Sequence, residues 1–141
     1  MNWKEEAVRR LMDYKVVANS VGGMRKELRR LELEAESLGS SGVFRMGSGS
    51  QSRDDRRMNN LVRRGELSDA LQQAALWVDV TDHALGCLEQ EDQELLSAFY
   101  ITGEWGNVAQ VARELGMERS SVYRRRDEAL RKFTVAMYGK C

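Results

Sequence analysis

The sequence predicts an all-α protein: a long antiparallel helical hairpin at the N-terminus, followed by a helix-turn-helix. Three observations point there. The 141 residues contain no proline, which favours long uninterrupted helices over turn-rich β structure. Two long segments repeat apolar residues at alternating spacings of three and four, the period of an amphipathic helix. The last third instead breaks into short helical segments punctuated by glycine, with a basic run after the final break.

The first segment runs from Asn2 to Leu38. Its stripe is Ala7, Leu11, Tyr14, Ala18 and Val21, then Met24, Leu28, Leu31, Ala35 and Leu38. The slip between the two halves falls at Gly22-Gly23. Glycine inside a helix costs about 1 kcal/mol relative to alanine, so a weak point is expected there and not a stop. A helix of this length needs a partner to cover its stripe.

Next comes "GSSGVFRMGSGSQSR", from Gly39 to Arg53, with no period and many Gly and Ser. It reads as a flexible connection, with Val43, Phe44 and Met46 as a small apolar island. A second helix is expected from about Asp54 to Leu88. Its stripe would be Met58, Leu61, Leu67 or Ser68, Leu71, Ala75, Val78, Thr81, Leu85 and Leu88, folding back on the first helix. Trp77, beside the stripe, is expected in the core.

The expected domains are therefore a hairpin over 1–88, with its linker at about 39–53, and a helix-turn-helix domain over 89–141. "EDQELLSAFYI" is a short helix with Leu95, Leu96, Phe99 and Tyr100 on one side. "TGEWGN" is a turn, "VAQVAREL" a second helix stopped by Gly116, and the last helix runs from about Arg119 to Tyr138. Two short helices meeting at a glycine turn are the pattern of a helix-turn-helix. Val108, Val111, Ala112, Leu115, Met117 and Val122 fall where such a unit needs its shared core.

Charge points the same way. Lys plus Arg and Asp plus Glu both number 22, so the whole chain has no net attraction for nucleic acid. Locally, Glu89–Glu104 holds five acids and no base, and Arg113–Lys132 holds seven bases against four acids. Local field, not total charge, is what a ligand meets. On the last helix, Val122, Ala129, Leu130, Phe133 and Met137 define the buried side. Ser120, Arg124 and Arg131 point away from it, with Ser121 and Asp127 beside them and Arg119 and Tyr123 flanking. Arginine suits guanine edges and phosphates, and hydroxyls suit phosphates. The candidate DNA-binding residues are Arg119, Ser120, Ser121, Tyr123, Arg124, Asp127 and Arg131, with Arg124 the best placed for a base. Arg126 is expected to be structural, tied to Glu91, Asp92 or Glu94, with Arg125 at the boundary.

Other classes find little support. His83 is the only histidine, and Cys87 and Cys141 lack metal-ligand spacing and read as reduced thiols of a cytosolic protein. No catalytic set, cofactor motif or metal site is expected, so the chain is not expected to be an enzyme. No signal core or membrane-length apolar run is present, so a cytoplasmic protein without membrane association is expected.

The stretch "LEQEDQELLSAFYITGEWGNVAQVARELGMERSSVYRRRDEALRKF" resembles the fourth region of bacterial sigma factors. The resemblance covers roughly the last 50 residues and implies contact with promoter DNA and with bacterial RNA polymerase. The layout of the whole chain is similar to small phage-encoded transcriptional regulators of the RinA and ArpU type. That likeness implies a phage or prophage late-gene activator in a bacterial host cell. By position, Arg119, Ser120, Ser121, Tyr123 and Arg124 take the DNA-reading role. The alternative is a DNA-packaging protein of the small-terminase kind; a third reading is an interaction protein that binds polymerase or another sigma factor through the hairpin. One helix-turn-helix covers one half-site, so a homodimer on double-stranded DNA is expected.

Overall fold

The computed structural model describes residues 2–40, 52–102 and 108–139. The Gly/Ser connection with Val43, Phe44 and Met46, and the body of the turn at 103–107, lie outside the described residues. Among the described residues the chain is all-α, with no strand. Helix α1 spans Trp3–Ser40, α2 Arg53–Gly86, α3 Gln90–Leu96, α4 Val108–Leu115 and α5 Arg119–Tyr138. A π-helical turn, Ser97–Ile101, continues α3.

Local chemistry sets the helix starts. Asn2 Oδ1 accepts from the Lys4 N–H at 3.0 Å, and Ser52 Oγ accepts from the Asp55 N–H at 3.1 Å. Each satisfies one first-turn donor. Acids follow in both first turns, Glu5 and Glu6 in α1, Asp54 and Asp55 in α2, where the helix dipole favours them. Helical backbone continues through Gly22 and Gly23 without interruption.

The chain divides into two compact units, Met1–Val17 with Trp77–Cys141, and Ala18–Leu76. Both boundaries fall inside the long helices, so neither coincides with the boundary expected near residue 88.

In the second unit α1 and α2 run antiparallel. Arg63 approaches Glu27 at 3.7 Å, Asn60 meets Leu31, and the Arg57 guanidinium donates to the Leu38 carbonyl at 2.9 Å. The α1 stripe is as expected, with Val21 and Leu31 buried. The α2 stripe is as expected from Leu67 onward but not at its start. Met58 and Leu61, expected inward, are 58% and 54% exposed, and Asn60 is buried instead. Its Nδ2 donates to the Leu31 carbonyl at 2.9 Å, and its Oδ1 accepts from Arg64 Nε at 2.7 Å. The phase is set further along the helix. Counting back from Thr81 through Val78, Ala74, Leu71, Leu67 and Arg64 in steps of three and four arrives at Asn60. The amide can be buried there because its polar atoms find partners.

The first unit holds the larger core. Ala7 and Leu11 of α1, Ala84 of α2, Leu88, Leu96 of α3, and Ala129, Leu130 and Phe133 of α5 form one buried cluster. Leu95, Phe99, Ala112 and Val122 form a second, bordered by Val108, Val111, Leu115 and Met117. Leu95 and Leu96 are neighbours in sequence and serve different clusters, so α3 sits between them. Phe133 is fully buried, and burying such a side chain contributes roughly 1.5–3 kcal/mol. Trp77 is half-buried, with Arg10 over its ring at 4.5 Å and donating to its carbonyl at 3.0 Å. Arg10 Nε also donates to the buried Thr81 hydroxyl at 2.7 Å. α1 thus enters this unit through charge as well as through its apolar stripe.

Candidate nucleic-acid interface

α4 ends at a Schellman motif. Gly116 has φ of +64°, the Met117 N–H donates to the Ala112 carbonyl at 2.8 Å, and the Gly116 N–H to Arg113 at 3.2 Å. A left-handed residue is what this cap requires, and glycine adopts it without a Cβ penalty. Met117 then packs on the cluster that holds Ala112. Two residues later α5 begins. Glu118 supplies its carbonyl to the Val122 N–H at 3.0 Å, but its side chain makes no capping bond. The first-turn donors of α5 therefore lack a cap from Glu118 and lie at the positive end of the helix dipole.

The seven candidate residues separate by environment. Arg119, Ser120, Tyr123, Arg124 and Arg131 are exposed, and Ser121 and Asp127 are half-buried. Arg119 and Arg124 make no side-chain hydrogen bond or ion pair with any described residue. Arg131 is paired with Glu128 at 2.6 Å. Asp127 is held from two sides, by Lys4 Nζ at 3.0 Å and Arg126 at 3.0 Å. Burial pushes its carboxyl up, but the bonds from Lys4 and Arg126 outweigh this and hold it below the usual carboxylate range. Asp127 thus belongs to an internal network.

The three consecutive arginines have three different environments. Arg124 is exposed. Arg125, expected at the boundary, is the one tied to the acidic helix: its Nε is 3.0 Å from Asp92 Oδ1 and its terminal nitrogen 2.9 Å from Glu91. Arg126, expected to make that tie, instead lies over the rings of Tyr123 at 5.0 Å and Phe99 at 5.4 Å. It remains structural, as expected, but its partners are aromatic rings and its neighbour Asp127. A one-residue step on a helix is 100°, enough to carry the reach of a long side chain from one neighbour to another. Tyr123 leans on Phe99 with ring centroids 6.1 Å apart, so the exposed tyrosine is braced by the core.

Sequence reasoning missed Lys4. It lies more than a hundred residues from Asp127, and nothing local to either residue signals the pair. Asp92 was visible only as one of three acids; its near-complete burial, at 2% exposure, is what singles it out.

Residues 105–128 match a family described as bacterial regulatory protein, Fis family. The match takes in α4, the glycine turn and the first half of α5, and covers well under half of the chain. It is a different family from the sigma-factor region resembled by the sequence, yet both likenesses take in α4 and the first half of α5. No curated protein and no solved structure matches the chain. Among the described residues no helix is long and apolar enough to cross a membrane. The chain carries a DNA-binding helix-turn-helix.

Proposed function

We propose that the protein is a sequence-specific transcriptional regulator that reads duplex DNA with the first turns of α5. The observation that carries this reading is the sorting of the arginine run. Arg125 and Arg126 are consumed by Asp92, Glu91, Asp127 and two aromatic rings, while Arg124 is exposed and unpaired among the described residues, as is Arg119. An unpaired arginine on the N-terminal part of a recognition helix is suited to a guanine edge. Arg119, Ser120, Ser121 and Tyr123 supply phosphate contacts around it, and Arg131 contributes charge further along. Asp127 acts by holding the helix, not by touching DNA. The reading involves no catalysis and no cofactor.

The finer role rests on the family likeness. The similarity to sigma region four and to the RinA and ArpU regulators supports a phage or prophage late-gene activator that acts with bacterial RNA polymerase in the host cytoplasm. The test is to sequence the DNA fragments that copurify with the protein and to assay transcription from the promoters nearest them. A recurring site upstream of phage late genes is the expected result. Fragments with no shared sequence would overturn specific recognition, and a site beside packaging genes bound by a many-subunit ring would favour a packaging role.

A further inference from the structure

We infer that α2 carries a second seam, facing away from α1, through which two copies of this chain pair antiparallel. The seam is Met58, Leu61, Gly65, Ser68, Gln72 and Leu76, spaced three, four, three, four and four, all within the second unit. Five of the six are exposed and Ser68 is half-buried, and none is charged, in a helix where charged residues are otherwise frequent. Met58, Gly65 and Gln72 stand seven apart, as do Leu61 and Ser68, which is the repeat of a helix-pairing surface. Val62, 49% exposed, widens it. Added atoms at Gly65 would meet nothing within 4 Å, so a partner backbone has room to approach there.

Two facts select a second copy as the occupant. The first is the poverty of the unit's own core: among its described residues only Val21, Leu31 and Asn60 are buried, while Leu33, Met58, Leu61, Val62 and Leu76 stay in water. Two helices alone give an incomplete core, and two hairpins together make a four-helix arrangement. The second is charge. Up to Arg64, α2 holds five arginines and two aspartates, a net of +3; beyond it there are four acids and no Lys or Arg, a net of −4 with His83 neutral. Antiparallel pairing sets the basic half of each copy against the acidic half of the other. Parallel pairing would set like on like. An isologous contact of this kind closes as a dimer. It deepens the regulatory reading by supplying the second helix-turn-helix that a two-half-site operator needs.

The test uses no DNA, so it can fail independently of that reading. Sedimentation of the full chain at micromolar concentration is expected to give a dimer. Leu61→Lys is expected to raise the dimer Kd about tenfold or more, because it puts a charge into the apolar contact, while helical circular dichroism stays unchanged. Orientation is read by cysteine cross-linking in a Cys87→Ser, Cys141→Ser background. The midpoint of the seam is residue 67, so Ser68→Cys should form an interchain disulfide. Met58→Cys should not, since the two copies of Met58 would lie about 27 Å apart along the helices. A monomeric wild type, a dimer indifferent to Leu61→Lys, or self-cross-linking at Met58→Cys would each overturn the proposal. A monomer whose melting temperature falls with Leu61→Lys would assign the seam to another part of the same chain.

Discussion

Arg125 Nε lies 3.0 Å from Asp92 Oδ1, and the Asp92 carboxylate is almost wholly removed from solvent. The pair joins α3 to α5 across the helix-turn-helix, with Lys132 Nζ 3.5 Å from the other carboxylate oxygen. Removing one member of a buried pair leaves the other without its partner, and the cost is larger than the pair's net contribution. Asp92→Ala is expected to destabilise the chain by about 2–4 kcal/mol in urea unfolding, less than a fully buried pair would cost because Arg125 is partly solvated. Asp92→Asn, which keeps the shape, should cost less. Equal stability for Asp92→Ala and wild type would show that this tie does not hold α5.

Arg124 and Arg126 are two residues apart and should behave oppositely. Arg124→Ala is expected to weaken specific DNA binding by about 1–3 kcal/mol with no change in melting temperature. Arg126→Ala removes a cation stacked on two rings and paired with Asp127, and should lower stability by about 1–2 kcal/mol. Arg126→Lys keeps the charge but loses the flat stacking surface, so it should recover only part of that loss. Titrating both variants against a bound operator fragment, alongside thermal melts, separates the two roles.

Tyr14 donates to Asp82, and this hydrogen bond, with burial and the Asp82 charge behind it, pushes the phenol up to about 12. The folded value lies above the unfolded one of about 10. The stabilisation is therefore complete below about pH 10 and is lost as pH rises from there toward 12. Burial raises the Tyr100 phenol as well, so absorbance titration of the phenolates should show late steps of which Tyr14→Phe removes one, and Tyr14→Phe should flatten the loss of stability across that alkaline window. A late step that survives in Tyr14→Phe would belong to another tyrosine.

Gly116→Ala tests the turn itself. No described atom lies within 4 Å of the added methyl, so the cost is backbone strain alone, at φ of +64°. A loss of about 1–2 kcal/mol is expected, with Gly116→Asn milder because asparagine tolerates the left-handed region better. An unchanged urea midpoint for Gly116→Ala would mean the turn can relax out of that conformation.

Much of this architecture was legible in the residue pattern. The α1 stripe, the start of α5 at Arg119, the glycine at the Schellman turn and the core of Val108, Val111, Ala112, Leu115, Met117 and Val122 all follow from local rules, because period and capping act within a few residues. The α2 stripe failed at Met58 and Leu61 because counting apolar residues assumes that the inward face is the apolar one. Asn60 breaks that assumption by finding polar partners in the Leu31 carbonyl, Glu34 and Arg64. The tie to Asp92, expected of Arg126, is made by Arg125 for a related reason: periodicity gives the direction of a Cα–Cβ bond, and a guanidinium several bonds further out goes where a carboxylate or a ring receives it.

What the sequence by itself determined is the helix order, the glycine turn and the exposure of Arg124, since each depends on neighbours three or four residues away. Only the tertiary structure decided that the start of α1 shares a core with α5, that Lys4 holds Asp127, and which arginine meets Asp92. Those depend on contacts between residues far apart in the chain, whose partners are chosen by packing and by satisfaction of buried charge, and neither leaves a trace in local spacing.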